Sequence, residues 1–131
     1  MHASAVAFGN AGLLITGASG SGKSTLALQL ISIGARLVAD DRVLVAPLAE
    51  GGLHLKAPDA LFGLIEARGL AVLKAEPVTA IARAVVDLDS VEKDRIPNLK
   101  EIVIAGETLR LFSKVESPAF PAMLRLSLAG H

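Results

Sequence analysis

Residues 17–24 read Gly17-Ala18-Ser19-Gly20-Ser21-Gly22-Lys23-Ser24 and fit the pattern G-x-x-x-x-G-K-[ST] at every fixed position. Glycines let the backbone turn so that successive N–H groups point at phosphate oxygens, and the N-terminus of a following helix adds partial positive charge. In such a loop the lysine reaches the β- and γ-phosphates, and the hydroxyl of the next residue binds Mg²⁺. Together with Thr25, the stretch predicts a nucleotide-binding loop in which Lys23 is also catalytic and Ser24 is also a metal ligand.

The segments on either side of the loop agree with this pattern. Leu13–Thr16 is an apolar run that predicts a buried strand, and Ser4–Phe8 predicts a strand paired with it across a Gly9-Asn10 turn. Lys23–Ile33 carries apolar residues at helical spacing and ends at Gly34, a helix stop. A Gly/Ser linker that happens to contain a lysine is the alternative, but it does not account for a strand before the loop and a helix after it.

The remaining segments predict more strands than helices. Pro58–Ala67 fits a short helix or a loop, 89–100 is charged and predicts a mobile loop, and Ala122–Leu128 predicts a helix. Strands are predicted at 37–39, 43–45, within Ala82–Leu88, and in a hairpin formed by 102–104 and 108–111. We therefore expect one α/β domain spanning 1–131, with a mixed, strand-rich sheet around the phosphate-loop helix.

Composition excludes several classes of protein. The chain has 131 residues, 13 basic and 13 acidic, so its net charge of zero argues against a nucleic-acid partner. It has no cysteine, which excludes a disulfide scaffold and a thiolate zinc site. The uncharged stretch Ala3–Gly22 contains too much glycine for a membrane span, and no basic residue precedes it as in a signal peptide. We expect a cytoplasmic protein without a membrane partner, in which the 52% hydrophobic content leaves a homo-oligomer open.

Asp40 and Asp41 are the first candidates for a second functional element. They follow the apolar run Leu37–Ala39, as the carboxylate of a Walker B strand does. The alternative is a solvated turn in which Arg42 forms a salt bridge. His2 and Glu66 are further candidates. The alternative to a functional role is an exposed histidine near the terminus for His2 and a charge pair on a surface turn for Glu66.

Four segments together resemble the catalytic domain of HPr kinase/phosphorylase: 17–25, 37–43 (LVADDRV), 61–63 (LFG) and 65–70 (IEARGL). The resemblance covers about residues 2 to 112. It implies a phosphate-loop fold like that of phosphoenolpyruvate carboxykinase. It also implies an ATP-dependent kinase, acting with Mg²⁺, that transfers phosphate to a seryl hydroxyl of HPr, the phosphocarrier of the sugar phosphotransferase system.

The resemblance also implies roles for individual residues. His2 matches a functional histidine ahead of the loop, and Asp41 matches the catalytic base. Asp40 would orient the metal or the base, and Glu66 matches the second magnesium ligand. Arg95, in Arg95-Ile96-Pro97, fits a catalytic arginine of the family loosely.

The sequence departs from the family pattern in ways that bear on activity. We expect a short, single-domain member of the family, without the N-terminal domain that full-length members carry. Thr25 replaces an acidic residue, Ala71 replaces a glycine, and 115–128 lacks the Pro-, Gly- and Arg-rich segment associated with phosphorolysis. We therefore expect kinase activity without the reverse phosphorylase activity. An ATP-binding regulatory module and a small-molecule kinase remain as alternatives. Since the chain has no Trp or Tyr, we expect aliphatic side chains, or none, to hold the adenine.

Overall fold

The computed structural model describes residues 1–58, 64–67, 69–74 and 78–129. The elements in this part of the chain, in order, are β1 (Ser4–Phe8), β2 (Ala11–Thr16), α1 (Lys23–Ser32), β3 (Arg36–Ala39), β4 (Leu44–Pro47), β5 (Leu53–Lys56), β6 (Leu64–Ala67), β7 (Ala71–Lys74), β8 (Ala80–Val91), β9 (Lys100–Ile104), β10 (Glu107–Lys114) and α2 (Phe120–Ala129).

Most of the strands form one mixed sheet. Its order is β3-β1-β2-β8-β10-β9, and β5 joins β4 to this sheet by pairing with β8. The neighbours β2, β8 and β10 run parallel to one another, whereas β1, β3 and β9 are antiparallel to their partners. Parallel strands end at the same edge, so the loop after β2, the end of β8 and the connection from β10 to α2 lie together there. The register of Thr16 with Asp87 shows this directly.

Two apolar layers hold the sheet. Side chains alternate along a strand, so Leu13 and Ile15 of β2 face one layer while Leu14 faces the other, and all three are fully buried. The first layer packs under both helices through Leu30 of α1 and Leu124 of α2. The central strand β2 is thus covered on both faces, which fixes the position from which the phosphate loop departs.

The structure confirms the α/β fold with a mixed sheet, the β1–β2 hairpin, the helix after the loop and the β9–β10 hairpin. Two expectations need correction. The helix or loop predicted for Pro58–Ala67 is wrong at Leu64–Ala67, which forms strand β6 paired with β7; residues 59–63 lie outside the described residues. The predicted mobile loop starts too early, because β8 continues through Val91. In the part of the chain that is described, no helix is both long and apolar enough to cross a bilayer.

Candidate active site

The phosphate loop connects β2 to α1 and depends on glycine conformations. Gly17 has φ 148° and Gly22, the residue before the helix, has φ 102°, both in the region that side chains disfavour. A Cβ at Gly17 would lie 2.5 Å from Ser21 Oγ. The Ser21 N–H donates to the carbonyl of Ala18 at 3.0 Å, which closes a turn within the loop. The backbone thus turns at the glycines of the loop, as the sequence pattern predicted.

Lys23 lies within the curve of this loop. Its side chain is buried, and Nζ donates to the carbonyls of Gly17 at 2.8 Å and Ala18 at 3.0 Å. An ammonium group has three N–H donors, so one is left for an anion in the loop. The carbonyls of the loop therefore hold the positive charge of Lys23 within the turn.

Asp40 directly follows β3 and connects three elements. Its carboxylate is buried and accepts hydrogen bonds from Ser24 Oγ, at 2.8 and 3.1 Å to its two oxygens, and from Ser4 Oγ at 2.7 Å. Ser24 belongs to α1 and Ser4 to β1. The carboxylate predicted to orient the metal therefore lies in hydrogen-bond contact with the hydroxyl predicted to bind it. Carboxylate and hydroxyl oxygens suit a hard cation such as Mg²⁺.

Asp41 points away from Asp40 because the chain turns sharply between them. Asp41 has φ 69°, and the Arg42 N–H donates to the Asp40 carbonyl at 2.9 Å, which makes a three-residue turn centred on Asp41. Such a conformation costs on the order of 1 kcal/mol for a residue other than glycine. As a result, the two consecutive carboxylates have different surroundings: that of Asp40 is buried and that of Asp41 is exposed to solvent.

His2, which the resemblance matched to a functional histidine, lies beside Asp41. His2 is bridged to Arg42 in antiparallel fashion, and the Ala3 N–H donates to the Asp41 carbonyl at 3.2 Å. This pairing brings His2 Nε2 within 3.0 Å of Asp41 Oδ1. Both side chains are more than half exposed, so the pair adds little to stability. A cavity of about 240 Å³ opens here, lined by Met1, His2, Asp41 and Arg42.

The two other predicted residues lie in separate segments, Glu66 in β6 and Arg95 after β8. Glu66 lies in β6 opposite Val72, and β6 packs against α1, but the Glu66 side chain is outside the described part of the structure. Arg95 is exposed in the segment after β8, with no hydrogen bond or ion pair to any other described residue. Within the described ranges, no three His, Cys, Asp or Glu side chains group closely enough to hold a metal by themselves.

Two residues that sequence reasoning missed support the site. Ser4 is fully buried under Asp40, and its only sequence signal is a hydroxyl at the start of an apolar strand. Asp89, at the end of β8, accepts the Ala18 N–H with both carboxylate oxygens, at 3.1 and 3.0 Å. Asp89 carried no local signal because it fell in the predicted mobile segment.

Comparisons with known proteins agree with this geometry. The chain is 53% identical over 62 residues to proteins named HPr kinase/phosphorylase from Xanthomonas campestris, Xylella fastidiosa and Stenotrophomonas maltophilia. These matches cover 47% of this chain and 20% of each relative, so the matched part spans about a fifth of the relatives' length.

The fold has a solved counterpart in the structure described as the Hpr(Ser) kinase/phosphatase from Coxiella burnetii. The two agree with a TM-score of 0.80 at 21% identity, over 100% of this chain and 94% of that one. The family described as the HPr Serine kinase C-terminal domain matches residues 1–88, which include the phosphate loop and both aspartates. The chain therefore belongs to the HPr serine kinase C-terminal domain family.

Proposed function

We propose that this chain is an ATP-dependent kinase that phosphorylates a seryl hydroxyl of HPr. The observation that carries the proposal is the hydrogen bond between Ser24 of the phosphate loop and the buried Asp40, with Asp41 exposed directly beside it. A loop that only binds an anion needs no carboxylate at this place. A kinase needs one carboxylate for its metal and another for its acceptor.

ATP would bind with its phosphates in the loop between β2 and α1. Backbone N–H groups and the N-terminus of α1 would hold the phosphate oxygens, and Lys23 Nζ would turn from the loop carbonyls toward the β- and γ-phosphates. Phosphoryl transfer depends mainly on positioning and charge neutralisation, which these groups supply.

The oxygen donors of Ser24 and Asp40 fit a magnesium ion. Mg²⁺ usually binds through one or two protein carboxylates together with substrate phosphates and water, so a site with few carboxylates is sufficient. Ser24, Asp40 and, from the family resemblance, Glu66 would hold it. When bound, the ion would neutralise charge on the β- and γ-phosphate oxygens.

Asp41 would act as the general base. As the seryl oxygen forms its bond to the γ-phosphorus, the bond from that phosphorus to the β,γ-bridging oxygen breaks, and its electron pair leaves with ADP. The seryl proton passes to the Asp41 carboxylate. The exposed position of Asp41 beside a cavity of about 240 Å³ supports this role, because a protein acceptor must reach the base from solvent.

His2 would orient that base. Its ring nitrogen lies 3.0 Å from Asp41 Oδ1, so a hydrogen bond between the two restricts the carboxylate rotamer. Arg95, which is exposed in the segment after β8, would stabilise charge on the transferring group, as the family resemblance implies.

The acceptor is inferred from the names of the relatives. Proteins that share 53% identity over 62 residues are named for HPr, and the family description names serine kinase activity. The acceptor therefore needs its own test.

The test is transfer of labelled γ-phosphate from ATP to purified HPr, with the product residue identified by mass spectrometry. We expect phosphoserine on HPr, and none with Lys23→Ala. ATP binding that requires Lys23 but gives no phosphoprotein would indicate a regulatory module. ATP consumption with a metabolite but not with HPr would indicate a small-molecule kinase. Adding phosphate to phosphorylated HPr tests the reverse reaction, which we expect to be absent.

A further inference from the structure

A second cavity lies on the other side of the phosphate loop. It has a volume of about 350 Å³, within the usual range for small-molecule sites. Ser21 and Gly22 of the loop form one wall, and the first turns of α1 and α2 form two others. The cavity is thus continuous with the phosphate loop but shares none of its lining residues with the cavity beside Asp41.

The sheet order places the two cavities on opposite sides of β2. The cluster of Asp40, Asp41 and Ser4 belongs to the β1 and β3 side of β2. The second cavity is lined by Leu88 of β8 and Lys114 of β10, which lie on the other side of β2. The phosphate loop, which follows β2, runs between the two cavities.

This arrangement gives a bound nucleotide a direction. The γ-phosphate must lie near Ser24, Asp40 and Asp41, because these groups would hold the metal and accept the seryl proton. The nucleoside is at the other end of the triphosphate. It must therefore leave the loop on the β8 and β10 side, where the second cavity opens.

The lining of the second cavity suits a planar heterocycle. Leu26, Leu88 and Phe120 supply an apolar floor, and all three side chains are buried in the core under the helices. Gln29 and Glu116 lie exposed at its walls and offer amide and carboxylate groups to the edge of a base. An apolar floor with a few polar groups is the common composition of ligand sites.

We propose that the cavity between the phosphate loop, α1 and α2 binds the base and ribose of the nucleotide. The base would lie against Phe120, an aromatic ring, and not against aliphatic side chains alone as the composition led us to expect. The proposal rests on the proposed function for the identity of the ligand as a nucleoside phosphate. It goes further by fixing the direction of the nucleotide across β2. It also assigns a role to the start of α2, which lies beyond the 1–88 segment that matches the family.

The experiment compares ADP with pyrophosphate, which carries the same number of phosphates but no nucleoside. The chain has four phenylalanines, so a spectrum of ring-labelled Phe is simple to follow. With Mg²⁺ present, we expect ADP but not pyrophosphate to shift the Phe120 ring signals. Phe8 pairs with Ala11 at the start of β2, whereas the phosphate loop follows the end of that strand, so the Phe8 signals should respond to neither ligand.

A variant that narrows the cavity gives an independent readout. Gln29→Trp should weaken ADP binding at least tenfold while pyrophosphate affinity stays within twofold. Ser32→Trp, exposed on the same helix but outside the cavity lining, should change neither affinity. Equal changes for ADP and pyrophosphate in Gln29→Trp, or Phe120 signals that ADP leaves unmoved, would overturn the proposal. Both readouts measure binding, so they stand apart from the failure or success of transfer to HPr.

Discussion

The substitution Ser4→Ala tests whether Ser4 holds Asp40 in place. Ser4 is fully buried, and its Oγ donates to Asp40 Oδ1 at 2.7 Å. Ser4 Oγ also accepts a hydrogen bond from the Asp41 N–H at 3.4 Å. A hydrogen bond to a charged group contributes about 1.5–3 kcal/mol. Asp40 would keep the hydrogen bond from Ser24, so we expect the lower part of this range, a loss of about 2 kcal/mol in the free energy of unfolding.

Urea unfolding of wild type and Ser4→Ala measures this loss, and in a thermal scan it corresponds to a fall in Tm of roughly 8 °C for a chain of this size. The matched control is Ser32→Ala, which removes an exposed hydroxyl that donates to the Gln29 carbonyl at 2.6 Å. That control should change stability by less than about 0.5 kcal/mol. If Ser4→Ala were as stable as the control, the buried contact would not hold Asp40, and the reasoning would fail.

Three further predictions concern the loop and its surroundings. Gly17→Ala would place a Cβ 2.5 Å from Ser21 Oγ at a φ of 148°, so ATP affinity measured by calorimetry should fall at least tenfold, whereas an unchanged affinity would show that the loop adapts. Asp89→Ala removes the acceptor of the Ala18 N–H and should weaken ATP binding about fivefold, while Asp89→Asn, which keeps an acceptor, should bind ATP within twofold of wild type. If the two variants weakened ATP binding equally, the hydrogen bond from Ala18 to residue 89 would not position the loop. The Asp94 N–H, with Lys100 and the Lys93 N–H adding to it, lowers the pKa of the Glu92 carboxyl. The contacts of the ionised Glu92 carboxylate therefore stabilise this segment fully above the ordinary pKa of Glu, and that stabilisation is lost as pH falls through the lowered pKa. The protection factors of backbone amides in the segment after β8, which correct for the intrinsic pH dependence of hydrogen exchange, should therefore stay constant down to the ordinary pKa of Glu and fall below it. A fall in protection that begins near neutral pH would contradict this.

Local sequence was enough to predict the centre of the fold and site. The glycines of the phosphate loop, the apolar run before it and the helical spacing after it are all short-range features, and each is where the sequence placed it. Asp40 and Asp41 could be found because they end a buried strand. The family resemblance singled out His2, but its hydrogen bond with Asp41, 39 positions away, was not predicted, since no local pattern indicates that pairing.

What the sequence did not predict depends on contacts between distant segments. Leu64–Ala67 forms a strand because it pairs with β7, although its own spacing fits a helix or a loop equally well. Ser4 and Asp89 acquire their roles from partners 36 and 71 positions away. The cavity against Phe120 exists only because α2 packs beside α1, and the direction of the nucleotide follows from the order of strands in the sheet.

The most direct test of the central claim is the rate of phosphate transfer to HPr by Asp41→Asn at saturating ATP and Mg²⁺. Asn tolerates the left-handed conformation at this position, so the fold should be kept. We predict that the rate falls by about 10²–10⁴-fold, the usual contribution of a general base, while ATP affinity stays within threefold of wild type. A variant that transfers phosphate at the wild-type rate would contradict the assignment of Asp41 as the base and, with it, the proposed mechanism.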